Sequence, residues 1–377
     1  MDRLIVKNFG PLKDVDIELN KINLFIGENG SGKSVLAKLV TIFTSLIDFS
    51  EEKILQKISE YNINFITRES KIKFFSDDIL LLELREGNLK LDLSLKEVVL
   101  ENEKLKKPWN ELSQKIEGIS VEDENLDFIL KLFKGMKSYQ ESLLSQYIPA
   151  ERNLISLFNK SLTTLVVAEV PLPKFILKFS SEFEKAGNEL KELKFLNVKY
   201  VNGDGLDRHK VYFDDNHYLS LEHSSSGIQS VLPLYLTVKY FSQKYKNIII
   251  EEPEQNLFPK AQTETIKYII EQISNKNRLF LMTHSPYVLS TLNTLMMAYK
   301  TGNLGEESKK EVNKLFKEEE WINPKEFSAY YLENGVARDI KGRTGLISDN
   351  EIDEISDDIQ CEFEVLLSIF REHKNDK

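Results

Sequence analysis

The sequence predicts an α/β fold in which a parallel core sheet, flanked by helices, carries a glycine-rich loop. Three observations predict it. An apolar strand, Ile22 to Ile26, runs straight into the loop, and behind it Val35, Leu36, Leu39, Val40 and Phe43 recur at helical spacing. Two further apolar runs, 248–250 and 279–282, flank a helical stretch at about 260–273. Continuous apolar runs of that kind suit strands buried on both faces of a parallel sheet. Residues 3–9 and 15–19 alternate in β fashion around Gly10-Pro11 and predict a hairpin leading into the strand at 22–26, hence an antiparallel β layer at the N-terminal end.

The rest of the chain is placed around that core. Residues 50–145 mix helix-like stretches, such as 126–134, with a strand-like patch at 88–94, and are expected to form an inserted, mainly helical lobe. Residues 196–221 predict strands about the turn signal Asn202-Gly203-Asp204-Gly205. The expected division is a discontinuous core of 1–49 and 146–300, the lobe at 50–145, and a C-terminal extension at 301–377.

Composition bounds the function. The 377 residues are 41% hydrophobic and 29% charged, enough for a large buried core. No stretch approaches the ~18 apolar residues of a membrane span, and the first residues do not read as a leader, so membrane insertion and export are not expected. A single cysteine, Cys361, forms no internal disulfide and fits a reducing, cytoplasmic setting. The net charge of −10 does not support a surface built to coat nucleic acid. Residues 349–377 contribute ten acidic and three basic side chains, or −7, leaving −3 for the remainder and room for a local basic face. The acidic groups there, including Asp349, Asp353, Asp357 and Asp358, alternate with Ile352, Ile355 and Ile359 and predict an acidic amphipathic helix, which either packs on the protein's own core or meets a basic partner.

Four segments carry chemistry. Gly27-Glu28-Asn29-Gly30-Ser31-Gly32-Lys33-Ser34 fits the phosphate-loop pattern G-x-x-x-x-G-K-[ST] at every fixed position, between a strand and a helix. Its glycines let backbone N–H groups turn toward phosphate, Lys33 reaches the β- and γ-phosphates of ATP, and the Ser34 hydroxyl suits Mg²⁺. Glu251 and Glu252 follow the strand at 248–250, where paired carboxylates emerge at the carboxyl edge of a parallel sheet. Alternation along a strand would send them to opposite sides, Glu251 toward Mg²⁺ and Glu252 toward the attacking water. His284, in Thr283-His284-Ser285, closes the next strand at the same edge. Ser225, Ser226 and Gly227 precede a helical apolar run; they read either as an anion-facing helix start or as an ordinary serine cap.

In this order the segments resemble the ABC ATPase superfamily, in the soluble branch that includes RecF, chromosome-maintenance heads and OLD-type ATPases. The resemblance covers residues 1 to about 295. It implies an ABC-type ATPase head in which Gly27–Ser34 is the Walker A motif, Ser225–Gln229 the signature, Glu251 and Glu252 the Walker B pair, Glu254–Pro259 the D-loop and His284 the switch histidine. It further implies a head-to-tail dimer, or a higher oligomer built on one, in which a signature serine of one subunit meets ATP held by the other. Glu251-Glu252-Pro253-Glu254 resembles the form found in OLD-like and phage-defence ATPases, such as those of Septu-like and PARIS-like systems. The signature lacks its usual Gly-Gly pair, and no Q-loop glutamine is evident. Ile148-Pro149-Ala150-Glu151-Arg152 occupies a comparable place, so Glu151 and Arg152 are either substitutes for it or an ordinary surface ion pair.

The expected activity is ATP hydrolysis, gated by dimerisation and read out by a separate effector such as a nuclease. Two other readings are weighed. A transporter nucleotide-binding subunit is opposed by the Glu-Glu-Pro-Glu sequence and the large insertion. An OLD-like, nuclease-associated ATPase would need a metal-binding domain in the 93 residues after His284, where no strand-borne Asp-x-Asp pair occurs.

Overall fold

Alternating apolar residues build the N-terminal hairpin. Strands β1 (Asp2–Phe9) and β2 (Leu12–Leu19) pair antiparallel with Leu4 opposite Ile17, burying Leu4, Val6, Phe9, Val15 and Ile17. The computed structural model describes residues 2–45, 51–76, 79–85, 88–91, 144–158, 167–203, 208–347 and 360–367.

Beyond the hairpin come β3 (Ile22–Ile26), α1 (Lys33–Thr44), α2 (Glu51–Glu60), β4 (Lys71–Ser76), β5 (Ile79–Arg85), β6 (Asn88–Leu91) and β7 (Ser145–Ile148). Then follow α3 (Asn153–Phe158), α4 (Lys174–Leu190), β8 (Glu192–Phe195), β9 (Val198–Asn202), β10 (His209–Tyr212) and β11 (Tyr218–Ser220). The last group is α5 (Ser226–Phe241), β12 (Asn247–Glu251), α6 (Pro259–Gln272), β13 (Arg278–Thr283), α7 (Pro286–Gly302), α8 (Glu306–Val312), β14 (Phe327–Glu333) and β15 (Val336–Asp339).

Eleven of the described strands form one sheet, in the order β6-β5-β4-β1-β2-β15-β14-β3-β13-β12-β7. The block β14-β3-β13-β12-β7 is parallel throughout. Its inner strands are largely apolar because helices cover both faces; every residue of β3 and β12 is buried, including the polar Asn23, Asn247 and Glu251. The predicted parallel core and βαβ unit are therefore present, as is the antiparallel layer. A separate antiparallel sheet, β11-β10-β9-β8, covers the expected strands at 196–221. Its buried Tyr200 and His209 pack on α4, where the rings of Phe183 and His209 lie 4.6 Å apart.

Three expectations change. First, the hairpin leads into β3 along the chain as expected, but in the sheet β15 and β14 stand between β3 and β2, because β3 pairs in parallel with β14. Second, the described part of the span 50–145 is not mainly helical: beside α2 it forms three strands that widen the antiparallel layer, β6 within the expected strand-like patch at 88–94 and β4 and β5 not foreseen, with Leu82 and Leu84 buried. The helix-like stretch at 126–134 lies outside the described residues. Third, the sheet does not stop at residue 300. The span 301–377, read as an extension, supplies β14 and β15, whose Phe327, Ala329 and Leu332 are fully buried. The turn Asn334-Gly335 between two strand-like runs is a hairpin signal that the sequence reading passed over. Of the predicted acidic helix, residues 360–367 are helical and expose Phe363, Val365 and Leu366; Ile352, Ile355 and Ile359 lie outside the described residues.

Because β14 is a core strand, Phe327→Ala is expected to lower unfolding free energy by about 3–5 kcal/mol, the range for emptying a buried phenylalanine site. Urea unfolding followed by circular dichroism measures this; a loss under about 1 kcal/mol would mean that β14 is peripheral to the cooperative core.

Candidate active site

The glycine loop joins β3 to α1. Gly27 sits beneath β14: a Cβ there would lie 2.2 Å from the Leu332 carbonyl oxygen. Gly32 takes φ 104° as the residue before α1, with Leu12 in the path of any side chain. Between them Glu28, Asn29 and Gly30 are exposed, while Ser31 is buried. The first N–H groups of α1 have no acceptor within the helix and face this loop end, which makes the helix start suited to phosphate. Lys33 folds back onto its own loop, its Nζ donating to the carbonyls of Gly27 at 2.6 Å and Glu28 at 2.7 Å. Burial pushes its pKa down, opposed by the charges of Glu252, Glu254 and Glu251.

Glu251 ends β12 opposite α1. Ser34 donates to its Oε2 at 2.6 Å, and the buried Tyr147 hydroxyl donates to its Oε1. Desolvation raises the Glu251 pKa, and these two hydrogen bonds act against that rise. Tyr147 is held by ring contacts with Tyr61 and Phe175. Glu252 lies just outside the strand with φ 44°, so its direction is set by a left-handed residue and not by strand alternation as the sequence implied. Its carboxylate is 3.9 Å from His284 Nδ1, and His284 is about half exposed. Glu254, buried, accepts from Thr283 Oγ1 at 2.6 Å and from the His284 N–H at 3.0 Å, fixing the histidine's backbone.

The structure thus brings Lys33, Ser34, Glu251, Glu252 and His284 to one edge of the parallel block. Glu151 is exposed, but Arg152 is fully buried and makes no surface ion pair; its guanidinium is bonded to main-chain carbonyls, two of them those of Glu251 and Glu252. Ser225 and Ser226 are exposed at the start of α5, where Ser225 accepts weakly from the Ile228 N–H at 3.5 Å. Gly227 lies against the 254–257 turn, where a Cβ would stand 3.0 Å from the Asn256 oxygen. Among the described residues no hydrogen bond joins Ser225, Ser226 or Gly227 to the glycine loop. Sequence reasoning missed Tyr147 and the clamp made by Glu254. The only signal for Tyr147 was its place directly before Ile148-Pro149-Ala150-Glu151-Arg152.

The chain belongs to the AAA ATPase domain family, whose model matches residues 1–289, and it is a nucleotide-binding ATPase. No curated protein matches it in sequence. Among solved structures, it is similar to the SMC head domain from Thermotoga maritima, with 12% identity, coverage of 90% of this chain and 97% of that one, and a TM-score of 0.39. A nucleotide-free ATP-binding cassette from an ABC transporter shows 14% identity, coverage of 94% and 99%, and a TM-score of 0.38. The Smc head domain with an extended coiled coil from Pyrococcus furiosus, bound to the C-terminal domain of ScpA, shows 11% identity, coverage of 90% and 96%, and a TM-score of 0.37.

The raised Glu251 pKa has a definite pH signature. An acid whose folded pKa lies above its unfolded value stabilises least once pH has risen through the folded pKa. Glu251→Gln removes the ionised, desolvated group, so the nucleotide-free variant is expected to melt higher than the parent at pH 8. The gain should shrink as pH falls through the raised carboxyl pKa and vanish near pH 4, where both chains carry a neutral side chain. Thermal melts across that range test this; a gain independent of pH would place the effect elsewhere.

Proposed function

We propose that the chain is an ABC-type ATPase that closes as a head-to-tail dimer around ATP and controls a separate effector, such as a nuclease, in defence against phage. The observation that carries the ATPase mechanism is the convergence of Lys33, Ser34, Glu251, Glu252 and His284 at one sheet edge, next to an exposed glycine loop at a helix start.

The loop N–H groups receive the phosphates, and Lys33 exchanges the Gly27 and Glu28 carbonyls for the β- and γ-phosphate oxygens. Mg²⁺ fits the donor set: a hydroxyl and a carboxylate that already approach within 2.6 Å are what a hard cation takes beside nucleotide phosphates. Ser34 and Glu251 would hold it, and when bound it supplies neutralisation of phosphate charge. Tyr147 keeps the Glu251 carboxylate oriented. Glu252 orients the attacking water and accepts its proton, and His284, anchored through Glu254, stands beside it at the γ-phosphate end.

The α5 start is supported as the surface for a second subunit by its exposure and by its separation from the chain's own loop. Its serines and first N–H groups then face phosphate held by the partner. The effector and the defence role rest on the Glu-Glu-Pro-Glu resemblance, and the exposed residues Phe363, Val365 and Leu366 offer a docking surface for that effector.

Three experiments test this reading. Lys33→Ala is expected to abolish tight ATP binding, whereas Glu252→Gln keeps ATP but slows turnover by about 100-fold or more and accumulates dimer, because water activation matters only to the chemical step. Wild-type hydrolysis by Glu252→Gln would remove the catalytic assignment. Ser225→Asp keeps a good helix cap while adding negative charge to the shared surface. It should preserve melting temperature and ATP binding but prevent ATP-driven dimerisation, and mixing it with Lys33→Ala should restore part of the hydrolysis through one intact composite site. Verified mixed dimers with no recovery would rule out the shared arrangement. Purification of the chain without residues 349–377 tests docking: an active ATPase that loses its co-purifying effector supports it, and an unchanged complex does not.

A further inference from the structure

Arg152 is the largest fully buried side chain described, and no carboxylate neutralises it by direct contact; its partners are main-chain oxygens from three segments. Nε donates to the Ser230 carbonyl at 2.9 Å, in the first turns of α5. Nη1 donates to Pro149 at 3.1 Å and to Glu251 at 2.7 Å, and Nη2 donates to Glu252 at 2.6 Å. Burial lowers its pKa to about 10, which leaves it charged at neutral pH, with Glu254, Glu252 and Glu251 close enough to favour that charge.

We infer that Arg152 is a positioning residue that ties the start of α5 to the backbone of Glu252, so that displacement of the helix start is transmitted to the carboxylate beside the attacking water. The inference rests on the proposed dimer, in which the α5 start faces the partner's nucleotide.

Three features make the link mechanical. A planar guanidinium serves several acceptors in fixed directions, which an ammonium on a flexible stem does not reproduce. The α5 end is itself held at several points: Ser156 donates to the Gln229 carbonyl at 2.7 Å, and the Ser230 hydroxyl donates to Gln255 at 2.8 Å. The Glu252 end is a left-handed, non-glycine residue whose N–H is fixed to the Met282 carbonyl at 2.8 Å and whose carbonyl accepts from Arg152 at 2.6 Å and from the Gln255 N–H at 3.0 Å. Such a conformation persists only where its surroundings over-determine it. Of these three backbone anchors the one from Arg152 is the shortest and the only one that reaches α5, so removing it loosens Glu252 without touching the glycine loop.

The test is Arg152→Lys, with Arg152→Gln as a second variant, each checked for folding by circular dichroism. The expected result is a fall in kcat of about 100-fold, the scale for misplacing a catalytic group by ~1 Å, with ATP affinity and KM unchanged within about threefold. In single-turnover assays the double variant of Arg152→Lys with Glu252→Gln should hydrolyse ATP no more slowly than Glu252→Gln alone, since a residue acting only through Glu252 has nothing left to act on. The inference is overturned if Arg152→Lys turns over at the parental rate, if it weakens ATP binding as Lys33→Ala does, or if the two losses multiply. Failure of both variants to fold would also overturn it, making Arg152 a folding determinant instead. Failure of the underlying reading looks different: there Glu252→Gln itself turns over normally, whatever Arg152→Lys does.

Discussion

Five charged groups share the carboxyl edge of the parallel block, and four of them, Lys33, Arg152, Glu251 and Glu254, are buried. Buried charge is tolerated only when it is paired or fully hydrogen-bonded. Each cation meets this by binding main-chain carbonyls: Lys33 those of its own loop, Arg152 those around the end of β12. The carboxylates take hydroxyl and N–H donors, from Ser34 and Tyr147 for Glu251 and from Thr283 and His284 for Glu254, although both donors to Glu254 reach Oε1 and its buried Oε2 has no hydrogen-bond partner among the described residues. With Glu252 the edge holds three carboxylates against two cations. An edge with surplus carboxylate suits a cation delivered together with a polyphosphate, since neither partner alone would settle there as favourably. The raised Glu251 pKa has a separate origin, the desolvation of its buried carboxylate.

This edge can exist because the sheet behind it is rigid. Strands β3, β12 and β13 run in register, so the glycine loop, Glu251 and His284 emerge at one level. β14 completes the arrangement from the C-terminal part of the chain by running beside β3, and its Leu332 carbonyl closes against Gly27. A side chain at position 27 would collide with backbone there, which ties the identity of the first loop residue to a strand some 300 positions away in the sequence.

What was legible in the sequence follows from how local the governing physics is. The phosphate loop, the core strands at 248–250 and 279–282 and the helix between them announce themselves because periodicity and glycine placement act within a few residues. The join of β14 to β3 depends on pairing across the whole chain, and a seven-residue strand in a polar setting carries too little pattern to reveal its neighbour. The strand at 88–91 was legible as a strand-like patch, but β4 and β5 were hidden for a related reason: lysines and glutamates such as Lys73 and Glu83 pair across their outer face, a composition that also reads as helix. Arg152 was singled out by its sequence neighbourhood, but its burial was not foreseeable, since arginine is rarely interior unless an unseen set of acceptors waits for it.

The backbone at Glu252 links fold to chemistry. The residue precedes Pro253, and a proline disfavours all but extended backbone in the residue before it, yet Glu252 has φ 44°. Three hydrogen bonds hold it there: its N–H donates to the Met282 carbonyl of β13, and its carbonyl accepts from Arg152 and from the Gln255 N–H. Relaxing to an extended backbone would return Glu252 to strand alternation and swing its carboxylate away from His284. Glu251 and Glu252 therefore diverge because β12 is interrupted between them: one carboxylate stays with Ser34 at the glycine loop, and the other turns toward the histidine. A glycine would adopt this conformation at little cost but would carry no carboxylate. The site thus keeps a costly residue at this turn and distributes the cost over a buried arginine, a neighbouring strand and the helix that begins at Ser226, which makes the orientation of Glu252 a property of all three.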